Sequence, residues 1–350
     1  MEQIITINNK KIGGENPTFI IAEMSANHLQ DYDRAVEIIK KAKWAGADAI
    51  KLQTYTPDTI TLDCDNEYFQ IKQGTIWDGT TLHKLYQEAY TPWEWQPKLK
   101  KIAEDIGLIC FSSPFDNTSV DFLEEINVPA YKIASFEITD IPFIEYIASK
   151  EKPVIISTGI ATLSDIEEAV NACRRMENNQ IALLKCTSSY PAPVEDANLR
   201  TIPNIAETFN VVAGLSDHTL GSEVAIAAVA LGAKIIEKHF TLKRSDGGPD
   251  AKFSMEPHEF KQMVEDIRNV EKALGSVNYN LTEKQIKSRE HSRSLFVVKD
   301  IKKGEVFTQE NVKSIRPGFG LPTKYINDII GRTCEENLRK GTPLKWEHIK

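Results

Sequence analysis

Two histidines, His218 in GLSDHTLG and His239 in AKIIEKHF, each close a short apolar run, and the two runs follow one another along the chain. Imidazoles on neighbouring strand ends can share a divalent cation, leaving other positions for water or substrate. Two nitrogens among oxygen ligands suit a first-row ion such as Mn²⁺ better than a structural zinc. Taken singly, each ring reads more often as a packed or hydrogen-bonded histidine. Lys51, Lys132 and Lys185 close three further runs, flanked by Ser113, Ser135 and Ser157. Converging ammonium groups repel unless an anion lies between them, so a phosphate that also carries a carboxylate is the natural guest. The rival chemistry is a class I aldolase, with one lysine forming a Schiff base. The redundancy of lysines and the histidine pair favour anion plus metal. Glu23 and Glu237 also stand at run ends, where a carboxylate serves general acid/base work or braces Lys51 or a metal-bound water. Gln53, Ser112, Glu137, Ser188 and Asp217 complete the set. So many polar groups at buried ends cost free energy unless a ligand satisfies them.

The elements that must position these groups are legible as eight runs: TFIIAEM (18–24), DAIKLQT (48–54), GLICFSS (107–113), PAYKIAS (129–135), KPVIIST (152–158), ALLKCTS (182–188), NVVAGLS (210–216) and AKIIEKHF (233–240). They are nearly continuous in apolar residues, as parallel strands covered on both faces are. Helical segments alternate with them. LSDIEEAVNACRRM (163–176) opens with Ser164 and Glu167 at capping-box spacing, and Ile166, Ala169, Val170 and Cys173 form one stripe. The segment 256–274 places Phe260, Met263, Val264, Ile267 and Leu274 largely on one side, and Gly275 follows as a C-terminal stop. Eight strand–helix units predict an α/β protein of the (β/α)8 barrel class, with every strand end facing the catalytic mouth. An open doubly wound sheet is disfavoured because no G-x-G-x-x-G turn follows the first strand. The connection 55–91 is too long for an ordinary loop and reads as a lid or substrate wall.

The chain has 350 residues, 41% hydrophobic and 26% charged, which suits ordinary globular structure. Its 42 Lys+Arg against 50 Asp+Glu leave a formal charge of −8, the wrong sign for unselective binding to nucleic acid. Five scattered cysteines without metal-type spacing read as reduced packing residues of a cytoplasmic protein. The N-terminus lacks the pattern of a signal peptide, and no run is long enough to span a membrane. His83, His258, His291 and His348 read as surface residues, and His28 as a brace of its own loop. Composition turns polar near the end of the barrel. Residues 1–280 therefore read as the barrel, 281–292 as a linker and 293–350 as a small second domain. That domain carries an internal echo: DIKKGEVFTQENV (300–312) lines up with NLRKGTPLKWEHI (337–349). Two copies so short imply a pseudo-symmetric β-rich unit rather than a solenoid.

These residues fall in motifs that resemble a known family over almost the whole chain. IIAEMSANH, GADAIKLQTYTPDT, CFSSPFD, YKIASFE, IISTGIA, LKCTSSYPAP, GLSDHTLG, ALGAKIIEKHF and GGPDAKFS, followed by DIKKGE and SIRPGFG, are similar to the sialic acid synthases. Within that family QTYTPDTITLD, GTIWDG, TPWEW and SIRPGFGLP most resemble the pseudaminic acid synthase branch. The resemblance implies a TIM barrel with a C-terminal antifreeze-like (SAF, β-clip) domain in a domain-swapped homodimer. It implies a metal-dependent transferase that condenses phosphoenolpyruvate with an open-chain amino sugar, giving a nine-carbon 2-keto acid and phosphate by C–O cleavage. For this branch the sugar is 2,4-diacetamido-2,4,6-trideoxy-β-L-altropyranose. The implied cofactor is a divalent metal, Mn²⁺ foremost, with Mg²⁺ or Co²⁺ as alternatives.

By motif, His218 and His239 match the family's metal ligands, and Lys51, Ser113, Lys132, Ser135, Ser157, Lys185 and Ser216 its phosphoenolpyruvate contacts. Gln53, Glu137, Tyr190 and Asp250 match the sugar side, and Arg316 the arginine that reaches the partner subunit's site. Glu23, Glu237 and Lys132 are the candidate catalytic groups. Ser188 stands where the neuraminate branch is expected to carry asparagine, so neuraminate or legionaminate synthesis is the runner-up. A different class of function is ice or glycan binding by residues 290–350; the basic Lys302, Lys303, Arg316, Lys340 and Lys345 argue against ice.

Overall fold

The computed structural model describes residues 3–72, 74 and 76–350. The first two residues of the N-terminal segment, and Gln73 and Thr75 of the long connection, lie outside the described residues. The chain divides into two compact units, Met1–Gly275 and Ser276–Lys350.

In the first unit a hairpin, β1 (Ile4–Ile7) and β2 (Lys10–Gly13), precedes eight strands: β3 (Phe19–Glu23), β4 (Ala49–Thr54), β5 (Ile109–Pro114), β6 (Tyr131–Ile133), β7 (Val154–Ser157), β8 (Ile181–Cys186), β9 (Val212–Asp217) and β10 (Ile235–His239). All eight pair in parallel and close as β10-β3-β4-β5-β6-β7-β8-β9. Each lies within or at the edge of one of the eight apolar runs. Every residue of β3, β7, β9 and β10 is buried, which is why those runs show no alternation. The hairpin was not anticipated: its four-residue strands are too short to show a period, yet Ile5, Ile7 and Ile12 are buried. Gly13 is indispensable in it, since a Cβ there would meet the Gln3 carbonyl at 2.1 Å.

The helix expected over 163–176 spans Leu163–Arg175 and buries Ile166, Ala169, Val170 and Cys173. Its cap is Thr162 with Asp165, not Ser164 with Glu167. The same spacing occurs two residues earlier, and Thr162 is the residue with extended backbone there, so its hydroxyl can accept from the Asp165 amide. The last helix, Pro257–Leu274, buries Phe260, Met263, Val264 and Ile267 but leaves Leu274 exposed, and Gly275 ends it at φ +49°.

Strand register sets the site. Glu23 on β3 lies beside His239 on β10 and Lys51 on β4; Gln53 lies beside Ser113; Glu237 lies beside Ser216. In the second unit β11 (Ser294–Val297) and β12 (Val312–Ile315) pair antiparallel over a core that includes Leu295, Val297, Phe307, Val312 and Leu344. The two sequence echoes meet at equivalent places. Ile301 and Leu338 exchange backbone hydrogen bonds, each 2.8 Å. Asp300 accepts from the Lys340 amide at 2.7 Å while Asn337 accepts from the Lys303 amide at 2.9 Å. Among the described residues no helix is long and apolar enough to cross a membrane.

Candidate active site

At the C-terminal mouth of the barrel the polar strand ends form one connected network. Lys51 Nζ lies 2.6 Å from Glu23 Oε2, 3.2 Å from Ser113 Oγ and 3.6 Å from Glu237 Oε1. Lys132 Nζ donates to Ser157 Oγ at 2.7 Å and lies 3.8 Å from the same Glu237 oxygen, which also accepts from Ser216 Oγ at 3.2 Å. The four ionic side chains are at most 5% exposed. The expectation of three mutually repelling lysines is thus corrected: Glu237 lies between Lys51 and Lys132, and Glu23 pairs with Lys51. Lys185 stands apart, half-buried, its Nζ donating to the Cys186 carbonyl at 2.8 Å. Ser135 Oγ contacts Ser188 Oγ at 2.8 Å and accepts from the Ile160 amide at 3.1 Å. Gly159 makes this crossing feasible, because a Cβ there would sit 2.1 Å from Ser188 Oγ and 2.5 Å from Ser135 Oγ.

Different cationic neighbours drive the two equally buried carboxylates apart. Desolvation raises Glu23 to about 7, with Lys51 opposing the rise and the Glu237 charge adding to it. Glu237 suffers the same desolvation, but Lys132 and Lys51 together overcome it and hold the group below the ordinary carboxylate range. Burial likewise lowers Lys132 against the pull of Glu237, whereas Lys51, flanked by both carboxylates, is raised despite burial. Neighbouring carboxylates pushed in opposite directions are the pattern that acid/base chemistry uses. Glu23 is the group able to hold or release a proton near neutrality.

The imidazole pair lies next to this network. The rings of His218 and His239 are 5.3 Å apart, and Phe253 packs on His239 at 4.8 Å. His218 Nδ1 contacts the Thr187 carbonyl at 3.1 Å. A carbonyl only accepts, so Nδ1 carries the proton and Nε2 the lone pair. His239 Nδ1 is buried without a hydrogen-bond partner. Among the described residues no group of three or more His, Cys, Asp or Glu side chains is placed to hold a metal ion. The buried His239 ring nitrogen that lacks a partner, beside the His218 ring, fits a cation held by two imidazoles and completed by water or substrate.

The residues expected on the sugar side divide between the two units. Gln53 Nε2 donates to Glu23 Oε1 at 3.2 Å and to Ser25 Oγ at 3.0 Å, and Ser25 in turn donates to Asp250. Burial raises Asp250, although Ser25 opposes the rise. Tyr190 stacks 4.5 Å from His218. Burial raises Glu137 to about 7, and its Oε2 has no hydrogen-bond partner. Arg316 belongs to the second unit, exposed, immediately after β12.

Two of the polar strand ends serve structure instead. Ser112 points away from the network and bonds Thr54 Oγ1 at 2.6 Å. Asp217 pairs with Lys238 at 2.6 Å, a residue the sequence reading passed over. Side chains alternate along a strand, so Lys238 must point opposite to Glu237 and His239, and Asp217 opposite to Ser216. That alternation was the available signal. His28 braces its loop as expected, contacting Thr91 Oγ1 at 3.1 Å and the Gln30 amide at 3.1 Å.

Comparison with known proteins places this geometry. Residues 38–279 match the model of the NeuB family, and residues 292–350 that of the SAF domain. The chain is 48% identical over 331 residues to a pseudaminic acid synthase of Campylobacter jejuni, covering 95% of this chain and 96% of that protein. It is 47% identical over 335 residues to a pseudaminic acid synthase of Helicobacter pylori, covering 95% and 98% respectively. Among solved structures, the N-acetylneuraminic acid (sialic acid) synthetase of Leptospira borgpetersenii in complex with citrate aligns with a TM-score of 0.73 at 35% identity, over 82% of this chain and 95% of that one.

Proposed function

The chain belongs to the NeuB family, its activity is pseudaminic acid synthesis, and we propose that this site condenses phosphoenolpyruvate with open-chain 2,4-diacetamido-2,4,6-trideoxy-β-L-altropyranose. One observation carries the assignment of roles. A single oxygen of Glu237 lies within 4 Å of Lys51, Lys132 and Ser216, so a dry cluster of cationic and hydroxyl donors is gathered beside two imidazoles. Burial favours the neutral form of Glu23, which lessens the negative charge the cluster turns toward an incoming phosphate and carboxylate.

Lys51, Lys132 and Lys185, with Ser113, Ser135, Ser157 and Ser216, hold phosphoenolpyruvate. Gln53, Glu137, Tyr190 and Asp250 orient the sugar. His218 and His239 would hold a divalent cation, Mn²⁺ in the reading favoured here; when bound, it supplies a Lewis acid for the sugar aldehyde. The methylene carbon of phosphoenolpyruvate forms the new bond to the aldehyde carbon, whose oxygen takes the proton held by Glu23. Positive charge develops at C2, where the Glu237 carboxylate stabilises it in a low-dielectric setting. Water adds to C2 and passes a proton to Glu23. The bond from C2 to the bridging oxygen then breaks, its electron pair leaving with phosphate, and the C2 hydroxyl gives its proton to the departing phosphate as the keto group forms. Family resemblance further supports a domain-swapped homodimer in which Arg316 serves the sugar side of the partner's site. The five free thiols support a reducing compartment, the cytoplasm.

Mass spectrometry of the product formed from phosphoenolpyruvate, Mn²⁺ and a panel of amino sugars tests the reading. The altro-configured 6-deoxy sugar should give the nine-carbon keto acid, and turnover of N-acetylmannosamine or the legionaminate precursor in its place would overturn it. With ¹⁸O in the bridging oxygen of phosphoenolpyruvate, the label should leave in phosphate; its appearance in the keto acid would refute C–O cleavage.

A further inference from the structure

The 55–91 connection leaves the end of β4 and turns back over the mouth. Gln70 and Thr81 bridge antiparallel, the Ile71 amide donates to the Thr80 carbonyl at 2.9 Å, and the Gly79 amide donates to the Ile71 carbonyl at 3.1 Å. Trp77 lies between these paired segments. Its Nε1 donates to the Pro249 carbonyl at 3.0 Å, in the loop after β10, one residue before Asp250. Its ring lies 5.5 Å from that of Tyr190, in the loop after β8. Tyr190 continues the aromatic contact to His218 at 4.5 Å and to Phe253 at 5.3 Å. A loop from the barrel's second strand therefore reaches the loops of its sixth and eighth strands. It sets an indole at the end of an aromatic row that begins on the imidazole pair.

The two sides of the mouth differ in kind. Lysines and serines suit phosphate and carboxylate; the aromatic row offers an apolar face. Resting on the reading above, the acceptor has a matching asymmetry, because its deoxy carbon is a methyl group. We propose that Trp77 is a specificity-determining residue: with Tyr190 it forms the apolar wall that receives the 6-methyl end of the acceptor and rejects a 6-hydroxyl. A hydroxyl pressed on an indole face gives up its hydrogen bonds to water without replacement. The indole is held for this task by the bond to Pro249, which ties it to the segment carrying Asp250.

The test is steady-state kinetics of the Mn²⁺-loaded enzyme and of W77F and W77A, using the 6-deoxy acceptor and its 6-hydroxy counterpart. The wild type should favour the 6-deoxy sugar. W77A should raise the acceptor KM about tenfold or more and shrink the ratio of kcat/KM between the two sugars by roughly 10-fold. The KM for phosphoenolpyruvate should stay within about threefold, since uniform loss of the site would move both. W77F, which keeps a ring but loses the indole donor, should recover most of the discrimination, and thermal melts of both variants should match the wild type. A W77A enzyme that retains the full ratio, or whose two KM values rise together, overturns this inference alone. A wild type that prefers the 6-hydroxy sugar overturns it together with the reading it rests on.

Discussion

At the base of the barrel Asp48 accepts the Ile20 amide at 2.8 Å and pairs with Arg268 at 3.2 Å and with Lys10. Glu271 accepts the Thr18 amide at 2.5 Å and is joined to Arg268 at 3.1 Å. At the mouth Glu23, Glu237, Lys51 and Lys132 make an equal tally of two anions and two cations. The side chains at the base are 12–43% exposed and spend their bonds on one another and on the backbone that starts β3. Those at the mouth are 1–5% exposed and bond mainly to one another and to hydroxyls, and Glu237 Oε2 has no hydrogen-bond partner. Equal charge thus does unequal work. The base uses ions to close strand ends, whereas the mouth keeps dehydrated ions that gain full partners only when a ligand arrives.

The largest effect should come from the one buried pair at the mouth that behaves like the base. Asp217 and Lys238 face away from the network, and Asp217 Oδ1 also accepts from the amide and hydroxyl of Thr219 at 2.9 and 2.8 Å. Asp217→Asn strands the Lys238 ammonium in a dry site, and urea unfolding should show a loss of about 3–5 kcal/mol. Stability close to that of the wild type would mean the pair is dispensable and burial alone does not sort the two ends.

Next comes Lys132→Met. Burial already disfavours this ammonium, and Glu237 keeps Lys51 and Ser216 when it is gone. Turnover should fall about 10²- to 10³-fold while the melting temperature stays within about 4 °C. A variant that melts much earlier yet turns over normally would reverse the assignment of the two ends. At the base, Asp48→Asn should do the opposite, costing about 1–2 kcal/mol through weakened bonds to Ile20 and Arg268 and leaving kcat and both KM values unchanged. A changed KM there would show that the ends are coupled.

The same contrast explains what could be seen in the sequence. Strands covered on both faces are continuous apolar runs, so IIAE, AIKLQ and IIEKH announced the barrel, and a charged residue closing such a run announced the mouth. Partnership was less visible. Lysines 51, 132 and 185 looked equivalent because a sequence records the strand end and not the stagger that brings Glu237 between two of them. Lys238 was hidden by sitting between two functional neighbours. Trp77 was hidden by distance, since its partners Pro249 and Tyr190 are brought to it by barrel closure and by no local pattern. Thr162 was missed for a smaller reason: two overlapping capping signals compete, and backbone conformation chooses.

The smallest effect separates the ends by pH. Glu137, half-buried at the rim of the mouth, is raised to about 7, chiefly by burial, with a backbone hydrogen bond and Lys132 opposing and Asp140 adding to the rise. Its ordinary value is 4.5. Below that pH the group is protonated whether the chain is folded or not, and it contributes nothing. Between 4.5 and about 7 the folded protein retains a proton that the unfolded chain has released. Stability therefore falls as pH rises through this window, and the full cost stands above it. Glu137→Gln mimics the neutral acid and escapes the cost. Urea midpoints should coincide near pH 4.5 and separate in favour of the variant by pH 8, by on the order of 1 kcal/mol once solvent at the rim screens the charge. If the wild type instead gains on the variant as pH rises, the carboxylate is held as an ion by Lys132. The rim of the mouth would then follow the rule of the base.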